Sequence, residues 1–214
     1  LIDAIVFDFD GVIIDTEKAR YDAWQAVFSI YNQQLPLVEW VKNLGRASYV
    51  ADPYVILEKL SGLILPENEI RALAKKFELE FVADLEPLPG IVKLLKKAKT
   101  LNIPCAIASS STRHWVSGHI KRMNLDTYFQ TLVCREDTKT HKPLPEPYLT
   151  AVSRMNCEPS DCIAIEDAPL GIQSATSAGL RCVAVGCSLT RQLDLSKATW
   201  LYESLEEFDL KKLL

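Results

Sequence analysis

The texture of hydrophobic and polar positions changes twice along this chain. Residues 2–7 form a short apolar run that stops abruptly at Asp8, Asp10 and Gly11, which predicts a buried strand delivering its carboxyl end to a loop. From residue 17 to residue 82 the period is helical. Ala23, Trp24, Val27, Phe28 and Tyr31 fall on one face, and Ile70, Leu73, Ala74, Phe77 and Phe81 on another. Pro36, Gly45, Pro53, Gly62 and Pro66 divide this stretch into about four helices.

The second change comes at the turn cluster of Pro87, Pro89 and Gly90, which leads into a helix with Leu94, Leu95 and Ala98 on one side. Apolar runs then alternate with helical segments. Strands are expected at 105–108, 131–134, 162–165 and 181–185, and helices at 112–123, 145–155 and 170–178. This order predicts an α/β fold, a Rossmann-like parallel sheet with helices on both faces. The helical block reads as an insertion: a catalytic core of residues 1–15 and 84–214, and an all-helical cap domain of residues 16–83.

Composition narrows the class without changing that picture. The chain has 214 residues, 48% hydrophobic and 24% charged, which are values of an ordinary globular protein. Its formal net charge is −4, with no basic stripe, so neither nucleic acid nor an anionic membrane is expected as a partner. No apolar stretch approaches the roughly 20 residues of a membrane-spanning helix, and a cytoplasmic protein is the expectation. The chain does not begin with Met, which leaves open a segment before Leu1. Its six cysteines include no C-x-x-C pair and are expected to be reduced. With no heptad seam, a monomer is expected.

Chemistry concentrates where the predicted strands end, which in open parallel sheets is where ligands sit. The first strand runs into Asp8 and Asp10, and the next into Ser109, Ser110 and Ser111. The loop after the third carries Lys142-Pro143, and a later strand ends in Glu166-Asp167. Singly, each has an ordinary explanation as a turn, a helix start, a loop or a cap. Their joint placement at the ends of strands in one sheet argues for one site. Carboxylates gathered there repel one another by roughly 4 kcal/mol per pair at about 4 Å, so a cation is expected. Oxygen ligands without His or Cys suit a hard ion such as magnesium. Lys142 is a point charge suited to phosphate, and Ser109 with the N–H groups after it, at a helix start, forms an anion cradle.

These elements, in this order, resemble the haloacid dehalogenase superfamily, in particular its branch with a helical cap, which contains beta-phosphoglucomutase and related phosphatases. The match runs through D-x-D-G-V-x-x-D-T at residues 8–16, the strand-end Ser109, Lys142-Pro143, and Glu166-Asp167 followed by Gly171. The resemblance implies that Asp8 is a nucleophile forming an aspartyl phosphate and that Asp10 is the general acid and base. It implies magnesium held by Asp8, the backbone carbonyl of Asp10, Glu166 and Asp167, and phosphate held by Ser109, Ser110 and Lys142. Asp10 itself favours phosphate esters over the dehalogenase chemistry of other members.

The cap would select the substrate, with Thr16, Arg20, Arg46 and Lys76 as candidate contacts. Sugar phosphomutases of this type carry a His where Arg20 stands, and their cap lysine aligns with Phe77, next to Lys75 and Lys76. The expected activity is therefore hydrolysis of a small phosphorylated metabolite, a sugar phosphate being favoured, with the mutase reaction as the alternative. A phosphoaccepting receiver module also gathers such residues, but it is about half this length and lacks the insertion. The histidines and the four tryptophans, Trp115 among them, are expected to pack rather than to act.

Overall fold

The structure is a computed structural model that describes residues 2–45 and 48–213. In chain order it contains β1 (Ala4–Phe7), α1 (Thr16–Ile30), α2 (Leu37–Trp40), α3 (Pro53–Ser61), α4 (Glu67–Val82) and α5 (Ile91–Thr100). The alternating part follows as β2 (Cys105–Ala108), α6 (Arg113–Arg122), β3 (Phe129–Val133), α7 (Glu146–Met155), β4 (Cys162–Glu166), α8 (Pro169–Ser177), β5 (Arg181–Val185) and β6 (Trp200–Tyr202). The strands form one parallel sheet of order β3-β2-β1-β4-β5-β6.

Strand composition explains how the two faces are covered. Side chains alternate across a sheet, and here large residues fall on one face and small ones on the other. Ile5, Phe7, Ile107, Ile163, Ile165 and Val183 pack with Leu94 and Leu95 of α5 and Val116 and Ile120 of α6. Ala4, Val6, Ala106, Ala108, Ala164 and Ala184 face Tyr148 and Val152 of α7 and Ile172 and Ala175 of α8. Full burial of each large side chain contributes about 1.5–3 kcal/mol, and the alanines give α7 and α8 room to lie close to the strands.

The four helices α1–α4 lie between β1 and the rest. Trp24, Val27 and Phe28 of α1 meet Ile70 and Ala74 of α4, and the same cluster takes in Cys187 and Leu189 from the loop after β5. Asp52 caps α3, with Pro53 at its first turn, and also binds Arg71 of α4 at 2.6 Å. All six cysteines are free. Among the described residues, no helix is long and apolar enough to cross a membrane.

Two expectations are corrected. The buried stripe of α4 is Ile70, Ala74, Glu78 and Val82, whereas Phe81, placed on the inner face by the pattern, is 41% exposed. An acidic residue within the inner stripe disguised it as surface. The sheet also has a sixth strand, β6, which pairs with β5 through Val183 and Trp200. It is a three-residue edge strand with no fully buried position, too short to show alternation.

Candidate active site

The sheet's register sets the acidic residues side by side. Because Phe7 of β1 pairs with Ile165 of β4, Asp8 and Glu166 emerge together, and the Asp8 N–H still donates to Ile165 O at 2.9 Å. Asp8, Glu166 and Asp167 are all buried, with carboxylate oxygens within 4.8 Å of one another. Lys142 Nζ stands 2.6 Å from both Asp8 Oδ1 and Glu166 Oε1. Tyr148, buried in α7, donates to Glu166 Oε1 at 2.6 Å, and Thr190 Oγ1 donates to Asp167 Oδ2 at 3.0 Å.

Two glycines make room for this cluster. A Cβ on Gly11, where φ is +84°, would lie 2.1 Å from Asp167 Oδ2, and one on Gly171 would lie 1.9 Å from Glu166 Oε1. Glu166 cannot yield without giving up Lys142 and Tyr148. Gly171→Ala is therefore expected to cost about 1–3 kcal/mol of stability and to weaken turnover, checked by thermal unfolding and by activity assayed across magnesium concentrations. Wild-type behaviour in both would show that Glu166 moves freely.

The electrostatics call for a cation. Burial, reinforced by the charges of Glu166 and Asp10, pushes the Asp8 carboxyl up to about 8 despite Lys142. Burial, with Asp8 and Glu166, raises Asp167 well above the carboxylate range. Among the described residues one lysine faces three carboxylates, which carry a net negative charge once ionised, and the donors are all oxygens, which fits a hard divalent ion.

The pH consequence has a definite sign. Asp8, Asp167 and Glu17, the last raised by burial too, bind protons more tightly folded than unfolded. Their contribution to stability is present below the unfolded carboxylate range, about pH 4, and for Asp8 is lost as pH rises through about 8. Lys142, its proton held more tightly by the same carboxylates despite burial, stays charged throughout. His119, its proton affinity lowered by burial, works the other way, one group against three. In chelator, the melting temperature is expected to fall between about pH 5 and pH 8, and the gain on adding magnesium to grow over the same interval. A steady rise in chelator across that range would contradict the assignment of the cluster.

Above the cluster lies a cleft of roughly 260 Å³ whose walls include Asp8, Asp10, Lys142 and Glu166 from the sheet ends and Arg20, Lys75 and Glu78 from α1 and α4. The Asp10 carboxylate accepts from Thr16 Oγ1 at 2.8 Å and Ser111 Oγ at 2.6 Å. Ser109 is buried and Ser110 lines the cleft, its carbonyl accepting from Arg135 Nε at 2.9 Å.

The four candidate substrate contacts separate clearly. Thr16 is fully buried behind Asp10 and does not line the cleft. Arg20 lines it, but between Glu17 at 3.8 Å and Glu78 at 3.5 Å. The Lys76 side chain is 70% exposed, 3.9 Å from Glu80 and away from the cleft, whereas Lys75 lines it. Arg46 lies outside the described residues. Sequence reasoning missed Glu17, Glu78, Tyr148, Thr190 and Trp115. The i, i+3 pairs of Glu17 with Arg20 and Lys75 with Glu78 were the one readable signal.

Comparison with known proteins agrees with this arrangement. Over its full length the chain is 35% identical to the Bacillus subtilis (strain 168) protein named "Putative phosphatase YhcW", covering 97% of that protein. It is 31% identical to beta-phosphoglucomutase of the same organism over 86% of this chain and 83% of that one. It is 29% identical to the fructose-1-phosphate phosphatase YqaB of Escherichia coli (strain K12) over 85% and 95%. Residues 5–185 match the family described as Haloacid dehalogenase-like hydrolase. With that match spanning five of the six strands, the acidic cluster and the helices α1–α8, the chain belongs to the haloacid dehalogenase-like hydrolases.

Proposed function

We propose that this enzyme is a magnesium-dependent phosphatase that hydrolyses a small phosphorylated sugar through an aspartyl phosphate on Asp8. One observation carries the reading: Lys142 and three buried carboxylates meet at the sheet's ends, beneath a cleft open to the helical block, which acts as the substrate-selecting cap.

The steps follow from the residues. An Asp8 carboxylate oxygen attacks phosphorus in line, forming a new P–O bond as the bond to the sugar oxygen breaks. Asp10 gives its proton to that departing oxygen, then takes one from the water that attacks the aspartyl phosphate, releasing phosphate and restoring Asp8. Lys142 and the Ser109–Ser110 segment hold the transferring group, whose charge is spread over its oxygens. Asp8, Glu166, Asp167 and the Asp10 carbonyl would hold magnesium, which would supply charge neutralisation.

The relatives that act on a sugar phosphate support the substrate class. Arg20, engaged by Glu17 and Glu78 in place of a mutase-type His, supports water as the acceptor rather than a second sugar hydroxyl. A panel of sugar phosphates, with magnesium or with chelator, tests this. Phosphate release from at least one ester is expected, disappearing in chelator. Conversion of a hexose 1-phosphate to the 6-phosphate without phosphate release would establish the mutase instead.

A further inference from the structure

Four side chains hold the Asp10 carboxylate, and one of them differs in kind. Thr16 Oγ1 and Trp115 Nε1 approach Oδ1 at 2.8 and 3.0 Å, and Ser111 Oγ and Ser109 Oγ approach Oδ2 at 2.6 and 3.4 Å. A hydroxyl can donate or accept, whereas an indole N–H only donates. Oδ1 is thereby committed as an acceptor. A proton carried by Asp10 in this arrangement sits on Oδ2.

Trp115 is well placed for that task. Thr112 caps α6 by accepting from Trp115 N at 3.4 Å, which sets Trp115 in the helix's first turn beside Asp10. His119, one turn on, packs against the ring edge-on at 4.4 Å. Lys75 of α4 lies with its Nζ 4.5 Å from the ring centroid, so an element of the helical block rests on the side chain that grips Asp10. Trp115 does not line the cleft. Its indole N–H meets Asp10 from outside the cleft.

We propose that Trp115 is a positioning residue for Asp10: its indole N–H fixes which carboxylate oxygen carries the proton, and the Lys75 contact ties that grip to the helical block. The inference rests on the acid/base role proposed for Asp10. In the step concerned, the proton passes from Oδ2 to the ester oxygen while the P–O bond breaks, its electron pair remaining on the sugar oxygen.

A merely structural role would slow all substrates alike, so the test compares leaving groups. p-Nitrophenyl phosphate releases a stable phenolate without a proton, whereas fructose 1-phosphate releases an alkoxide that needs one. Trp115→Phe keeps the ring and removes the N–H. It is expected to lower kcat/KM for fructose 1-phosphate on the order of tenfold, a fraction of the full acid contribution, and that for p-nitrophenyl phosphate within about twofold. Lys75→Met, at a side chain 52% exposed, is expected to keep the fold and to shift the same ratio in the same direction by a smaller factor. Equal losses on both esters in Trp115→Phe, or an unchanged ratio in Lys75→Met should Trp115→Phe not fold, would overturn the proposal. Asp10→Asn separates the two readings: if it slows both esters equally, the acid role of Asp10 itself fails.

Discussion

Replacing Asp8 by Asn is expected to lower kcat on the best phosphate ester by about four orders of magnitude or more, the scale seen when a covalent nucleophile is removed. No neighbouring group can take its place. Glu166 is occupied by Lys142 and Tyr148, Asp167 by Thr190, and Asp10 faces Thr16, Ser111 and Trp115. The amide preserves shape while removing one charge from a buried group of like charges. Asp8→Asn is therefore expected to melt at the same temperature as wild type or higher in chelator above about pH 8, the value up to which burial pushes Asp8. Activity and stability thus move in different directions, as expected where a site concentrates uncompensated charge.

Lys142→Met is expected to behave differently, losing both. Among the described residues Lys142 is the cation paired with the cluster, with its side chain 5% exposed and 2.6 Å from each of two carboxylates. Without it, turnover is expected to fall by about 10²–10³, the scale for losing one electrostatic contact to a developing charge. Stability in chelator at about pH 8 is expected to fall by roughly 3–5 kcal/mol, because removal of one partner leaves buried charge unpaired. Magnesium is expected to recover part of that loss. Kinetics and chemical denaturation of the two variants side by side measure the contrast, and equal stability in both would contradict the charge assignment.

Much of this architecture was legible because it is local. The stops after residues 7, 108 and 165 locate the reactive strand ends, and β2 and β5 lie where the alternation put them. Asp8, Glu166 and Asp167 stand directly after those stops, and Lys142 lies in the loop after β3. What stayed hidden depends on tertiary proximity. Tyr148 reaches Glu166 across 18 positions and Trp115 reaches Asp10 across 105, so no sequence window contains either pair. Trp115 looked like packing because an aromatic residue in an amphipathic helix usually is. Lys76 looked equivalent to Lys75, yet a rotation of 100° along α4 sends one to solvent and the other to the cleft. Glu78 looked like surface because its partner Arg20 lies in α1, 58 positions away.

The central claim is the covalent role of Asp8, and trapping the phosphoenzyme tests it most directly. Enzyme turning over its best sugar phosphate with magnesium is quenched, treated with borohydride, which reduces an acyl phosphate to the alcohol, and mapped by peptide mass spectrometry. Conversion of residue 8 alone to homoserine is the predicted result, absent in Asp8→Asn and in chelator. Reduction at another carboxylate, or full turnover with residue 8 never modified, would contradict it.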